Sequence, residues 1–169
     1  IIQKKTNGSE DWYVYFPPGV IDSNYNYMIL NSSASKGTTG STPPTTTTFN
    51  PVSNSGNYIA YAFHSVAGYS KIGSYTGDGN APGPIETIGF TPRWVMIKST
   101  TAEPWLIFDS ARNTSNPRTC HLRANRDIAE SCISSESIDF NANDFQIKST
   151  WAALNTLGVE YIYMAFAST

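Results

Sequence analysis

Two blocks of this sequence occur twice, in the same order, and that limits the folds open to it. Lys5, Glu10 and Trp12 return as Lys98, Glu103 and Trp105, at a constant offset of 93. Each Trp is followed by an apolar or aromatic triplet, Tyr13-Val14-Tyr15 and Leu106-Ile107-Phe108. Further on, Tyr58-Ile59-Ala60-Tyr61-Ala62-Phe63-His64-Ser65 matches Tyr161-Ile162-Tyr163-Met164-Ala165-Phe166-Ala167-Ser168 at five of eight positions, at an offset of 103. Between the blocks, Leu30-Asn31 falls opposite Ala124-Asn125. Matching blocks with drifting loop length are the mark of a duplicated unit. The expected organisation is a first repeat over 1–65, a connector over 66–93 and a second repeat over 94–169. In this alignment Ile1 stands opposite Trp94, so the first repeat is expected to be truncated at its start. It has no counterpart of Gly89-Phe90-Thr91-Pro92-Arg93.

The unit is built from strands. Charged residues are only 14% of the chain, about half of what is usual, and ten Tyr with many Thr stand where helix formers would be. Tyr, Thr and Phe suit pleated, half-buried surfaces, and Gly, Pro, Asn and Ser suit turns. Strands are predicted over 1–5, 12–16, 26–31, 46–49 and 58–64 in the first repeat. In the second they are predicted over 94–98, 105–109, 120–124, 137–140, 145–148 and 161–167. Phe145-Gln146-Ile147-Lys148 alternates as a strand with one buried face should, whereas 161–167 is apolar almost throughout and is expected at the centre of a sheet. Trp12 with Trp105, and Phe63 with Phe166, are expected at equivalent buried positions. The Thr/Pro-rich stretch 37–48 reads as a loop or an edge strand. The connector is dense in Gly and Pro; short strands over 70–75 and 85–88 are expected to flank Asp78-Gly79, a hairpin-type dipeptide. Together these predict an all-β fold of two tandem related repeats, sandwich or jelly-roll-like.

Several function classes lose support on composition. The formal net charge is −2 with no basic run, so no electrostatic footprint for nucleic acid is expected. No apolar stretch approaches the ~20 residues of a membrane-spanning helix, so no membrane insertion is expected. The opening Ile1-Ile2-Gln3-Lys4-Lys5 has no signal-peptide character and no initiator Met, which reads as a processed or partial chain. Cys120 and Cys132 are spaced for two strands of one hairpin; a cross-strand disulfide and two free buried thiols are both open.

Chemistry-bearing motifs are sparse. His64 and His121 have no metal-ligand spacing, and neither a metal nor a cofactor is expected. No nucleophile elbow, P-loop or dinucleotide fingerprint is present. The carboxylates worth testing as acid/base pairs are Glu103 with Asp109 and Glu130 with Glu136. Asp109-Ser110-Ala111-Arg112 reads more simply as a turn held by an Asp–Arg pair, and Asp109 has Phe16 as its opposite number in the first repeat. Asp139-Phe140-Asn141-Ala142-Asn143-Asp144 resembles an alternating oxygen-ligand loop but lacks the Gly and the closing Glu of a calcium site, so it reads as Asx turns. Tyr69, Tyr75, Asp78 and Asn80 crowd the Gly-rich loop and are the candidate glycan contacts, offering aromatic faces beside hydrogen-bonding groups.

From Tyr58 to Ser168 the chain resembles a repeat domain of tail-fibre and other virion structural proteins of marine and environmental bacteriophages. The resemblance is carried by Tyr58–Phe63, Gly68–Gly79, Gly89–Lys98, Asp109-Ser110-Ala111-Arg112 and Tyr161–Ala167. It covers about two thirds of the chain, and the first repeat resembles a shortened form. The resemblance implies a non-enzymatic structural protein at the virion surface, in a tail-fibre or receptor-binding segment. Its expected partners are other virion subunits and a host surface glycan or protein. It also implies a homo-oligomer, with a trimer favoured. The competing readings are a carbohydrate-binding module of a secreted or cell-surface protein and, behind it, a polysaccharide-degrading enzyme.

Overall fold

The computed structural model describes residues 1–168 apart from 8, 17, 18, 21, 41, 44, 46 and 49–55. Its strands are β1 (Ile2–Lys5), β2 (Tyr13–Phe16), β3 (Asn26–Ile29), β4 (Gly37–Thr38), β5 (Tyr58–Tyr61), β6 (Ser70–Thr76) and β7 (Ile85–Thr87). They continue with β8 (Pro92–Ser99), β9 (Leu106–Asp109), β10 (Cys120–Arg123), β11 (Ser131–Cys132), β12 (Ile138–Phe140), β13 (Asp144–Ile147) and β14 (Glu160–Ala167). One short helix, α1 (Ala152–Asn155), precedes β14. Three antiparallel sheets result, with strand orders β4-β3-β2-β1-β5, β11-β10-β9-β8-β14-β6 and β12-β13-β7. No helix among the described residues is long and apolar enough to cross a membrane.

The six-stranded sheet is the middle of three layers, and period-two alternation explains why. Val95, Ile97, Leu106, Phe108, Tyr161, Tyr163 and Ala165 point to one side. There they meet Ile138, Phe140, Phe145 and Ile147 of the three-stranded sheet and Ala153 and Leu154 of α1. The alternate residues Met96 and Ile162, together with Trp105, pack on the other side against Val14, Phe16 and Met28 of the five-stranded sheet. A strand covered on both faces needs apolar residues at consecutive positions, which is why β8 and β14 read as apolar runs. β14 lies between β8 and β6 with continuous pairing, in the central place its sequence predicts. The outcome is an all-β sandwich with a third, smaller layer.

The two larger sheets share one order of strands and one register. Ile2 pairs with Val14, and Met96 with Ile107; Val14 pairs with Met28, and Ile107 with Leu122. Asn26 pairs with Thr38, and Cys120 with Cys132; Ile2 pairs with Tyr61, and Met96 with Met164. The fastening before β2 and β9 is also common to both. The Trp12 N–H donates to Asn31 Oδ1 and the Trp105 N–H to Asn125 Oδ1, each at 2.9 Å. This register places Ile2, not Gln3, opposite Met96, so β1 lies one residue away from the 93-residue alignment. Lys4, rather than Lys5, is therefore the counterpart of Lys98.

Other expectations are revised. Trp12 and Trp105 occupy matching places just before their strands, but only Trp105 is buried; its indole N–H donates to the Ile29 carbonyl across the sandwich at 2.9 Å. Trp12 is half-buried and stacks on Tyr61. Phe63 is exposed and Phe166 half-buried, because both lie beyond the rim where the two sheets overlap. The two strands expected in the connector are present, and β6 completes the six-stranded sheet and β7 the three-stranded one. Asp78-Gly79 therefore closes no hairpin, although Gly79 does take a positive φ of 71°. Within 37–48, Gly37–Thr38 forms the edge strand β4. The strand predicted over 46–49 begins and ends on positions outside the described residues. β11 pairs with β10 at Cys120 and Cys132, the hairpin their spacing suggests, whereas α1 had no sequence signal.

Candidate binding surface

At the end of the sandwich where β5 passes into β6, the sheets stop covering one another and leave aromatic rings in the open. Phe166, on β14, is paired in register with Trp94 on β8 and Ser70 on β6. Its ring lies 5.7 Å from Trp94, 6.1 Å from Tyr69 and 6.2 Å from Phe63, measured between centroids. Phe63 is 42% exposed and Tyr69 48%, so this cluster faces solvent. It continues along β5 through Tyr61, 48% exposed, to Trp12, whose ring lies 6.3 Å from Tyr61 and carries the Lys4 ammonium 5.5 Å from its centroid. Phe63 also lines an apolar cavity of about 50 Å³ between the sheets, with Ile2, Val14, Ile72, Met96 and Ile162. Aromatic rings on a rigid frame supply large contact area at small cost in conformational freedom, and their faces stack on sugars and on apolar side chains alike.

The four sequence-derived candidates do not converge. Tyr69 belongs to this surface. Tyr75 is at the far end of β6, buried, stacked on Tyr161 at 4.9 Å, with its hydroxyl donating to the Leu154 carbonyl at 2.8 Å. Burial holds its hydroxyl pKa well above the ordinary tyrosine value, with the nearby Tyr161 and Glu86 adding to the shift. A ring so placed offers no face to a ligand. Asp78 and Asn80 are tied to buried Asn155. Its Oδ1 accepts from the Asp78 N–H at 2.8 Å, and its Nδ2 donates to Asp78 Oδ1 at 2.9 Å and to the Asn80 carbonyl at 2.7 Å. Gly77 permits this close packing, since a Cβ there would stand 2.3 Å from the Thr156 carbonyl oxygen. These two residues shape a loop. Sequence reasoning missed Trp94, Phe63 and Phe166 as surface because a Trp or Phe inside an apolar run carries no sign of where the covering sheet ends.

Asp109, Glu130 and Glu136 have structural partners. Asp109 Oδ1 accepts from the backbone N–H groups of Ala111 and Arg112, and Oδ2 from Arg112 Nε at 2.5 Å. Arg112 also bridges to Glu130. Glu136 lies 3.4 Å from His121 Nε2 and 3.7 Å from Arg123. His121 is fully buried between Phe108 and Trp151, and desolvation, aided by the Arg123 charge, pushes its pKa down to about 4. It is neutral at pH 7. Lys98 is buried too, its Nζ donating to the carbonyls of Ser99 and Thr101, and desolvation lowers its pKa to about 8. Asn141 Nδ2 donates to Asp144 Oδ1 at 2.7 Å, closing the turn between β12 and β13. Cys120 and Cys132 are joined as a disulfide.

A three-layer β frame with an aromatic rim defines a class of rigid all-β module. The chain belongs to the DUF7483 family, described as a domain of unknown function, which it matches over residues 1–169. No curated protein and no solved structure matches it.

Proposed function

We propose that this chain is a structural and adhesive module of a virus particle, in a tail-fibre or receptor-binding segment, acting by surface contact and present in several copies. The observation that carries the reading is the Phe63–Tyr69–Trp94–Phe166 cluster. It is a contiguous aromatic cluster in which exposed Phe63 and Tyr69 lie beside half-buried Phe166 and Trp94, of the kind that marks an interaction site. The chain's resemblance to phage fibre repeats supports the same reading by analogy. The common strand order and register support descent of both larger sheets from one duplicated unit, a construction suited to extended modular proteins. Repetition in a particle multiplies weak contacts through avidity. An antibody against the folded domain should label the surface of intact particles; labelling confined to the interior, or none, would remove the virion assignment.

The carbohydrate-binding reading keeps one specific support, the open ring of Tyr69 beside Phe166. Glycan-array binding by the isolated chain, lost in Tyr69→Ala, would favour it. Tyr75→Ala does not test glycan contact, because that ring is core.

A further inference from the structure

The corner where β10 meets β11 brings two sulfurs and a carboxylate together. Cys120 pairs with Cys132 across the hairpin, and Glu130 stands just before β11. Both Sγ atoms and a Glu130 carboxylate oxygen lie within 4.8 Å of one another. Glu130 and Cys132 are exposed and Cys120 is half-buried, so solutes reach the disulfide. The charges beside it are unbalanced, because Arg112 alone serves the carboxylates of both Asp109 and Glu130. The matching corner of the five-stranded sheet already holds a cation. There Asn26 and Thr38 take the places of Cys120 and Cys132, and Lys36, just before β4, takes the place of Glu130. The Lys36 ammonium donates to Asp22 Oδ2 at 2.5 Å and to Asn26 Oδ1 at 3.3 Å. One corner of the shared plan is thus filled by its own ammonium. The other offers softer ligands and an excess of negative charge.

We propose that Cys120, Cys132 and Glu130 bind a Zn2+ ion when the disulfide is reduced, so that this corner is fastened by a disulfide or by zinc according to the redox state around it. A dithiol reductant breaks the bond between the two Sγ atoms. It is oxidised to its own disulfide, and its two electrons and two protons leave Cys120 and Cys132 as thiols. Zinc then displaces both protons to solvent and binds the thiolates, with the Glu130 carboxylate as third ligand and water as fourth. Zinc lies ~2.3 Å from thiolate sulfur and ~2.1 Å from carboxylate oxygen, so its ligands sit roughly 3.5–4 Å apart. Side-chain rotation brings this group to that spacing once the disulfide is open. The thiolates add to the negative charge already present, which a divalent cation offsets, and sulfur ligands select zinc over Mg2+ and Ca2+. Thiols stay reduced in a reducing compartment and pair in an oxidising one, so zinc holds the corner in the first and the disulfide holds it in the second. The site stands on the hairpin alone and does not depend on the adhesive reading.

The full chain, treated with excess dithiol and freed of it under argon, is titrated with Zn2+ against a chromogenic chelator. It should bind the ion at least about a hundredfold more tightly than the oxidised chain does. Co2+ in place of zinc should give a sulfur-to-cobalt charge-transfer band. Cys132→Ser should abolish that band. Glu130→Gln should weaken zinc binding about tenfold and leave the disulfide of the oxidised chain intact. Circular dichroism separates loss of the site from loss of the fold: the reduced chain should keep its β signal, and zinc should raise its melting temperature. Equal zinc binding by the reduced and oxidised chains, a cobalt band that survives Cys132→Ser, zinc affinity unchanged in Glu130→Gln, or a reduced chain that zinc does not stabilise would each overturn the proposal.

Discussion

The five-stranded and six-stranded sheets follow one plan, yet their outward faces differ in kind. At matching positions the five-stranded sheet carries Gln3, Tyr13, Tyr15 and Tyr27 where the six-stranded sheet carries Ile97, Leu106, Phe108 and His121. In the six-stranded sheet this face lies under the three-stranded sheet and α1, and its residues are the main core. In the five-stranded sheet the same face is a tyrosine cluster, with Tyr13, Tyr15, Tyr25 and Tyr27 in ring contact at 5.4–6.1 Å. Burial raises the pKa of Tyr13, Tyr15 and Tyr25, so these hydroxyls stay neutral. Strand order and register are thus set by backbone pairing and turn fastening, and residue type by what covers the face. The short edge shows the same division. Cys120 and Cys132 lock it covalently in one sheet, where the other has Thr38 donating to Asn26 Oδ1 at 3.2 Å.

The matching Trp pair gives the strongest test of this difference. Trp105→Ala should cost about 3–5 kcal/mol in unfolding free energy, since it empties a buried site and removes the indole bond to Ile29. Trp12→Ala, at a half-buried position, should cost about 1 kcal/mol. Chemical denaturation measures both, and equal losses would mean that the two sheets share their packing as well as their plan.

The edge locks come next. Replacing Cys120 and Cys132 together by Ala should cost about 2–4 kcal/mol, whereas Thr38→Val should cost about 0.5–1.5 kcal/mol. A disulfide-free variant as stable as the native chain would show that both edges are held by the ladder alone.

A smaller effect separates His121 from Tyr27, its counterpart. Below the ordinary histidine pKa of 6.5 the unfolded chain takes up a proton that the folded chain refuses until about pH 4. Stability should therefore fall as pH drops through that window, by on the order of 2 kcal/mol. His121→Phe should flatten this part of the profile and Tyr27→Phe should leave it in place. An unchanged slope in His121→Phe would assign the acid sensitivity to other groups.

Much of the all-β fold was legible because the strands are short and bounded by turn residues. β14 announced its central place through unbroken apolarity, and Asp109 with Arg112 announced its turn through spacing. The surface was less legible, for a physical reason. Phe63 and Phe166 match in sequence, but Phe63 lies past the end of β5 while Phe166 is still on β14, and exposure depends on where the opposing sheet ends, which no local pattern encodes. Tyr69 and Tyr75 are near in sequence and alike in type. They part company because β6 is long enough to carry one to the open rim and the other under α1. Asn155, the buried staple of the Asp78–Asn80 loop, was invisible because its partners lie about 75 positions away.

The central claim is that the open rings around Phe166 form the contact surface of a rigid module. The direct measurement is binding of the purified chain to host envelope material, native against Tyr69→Ala and Phe63→Ala, with melting temperatures taken in parallel. The account predicts a loss of about tenfold or more in each variant with little change in stability, as expected for removing an aromatic anchor. Full binding by both variants at unchanged stability would contradict it.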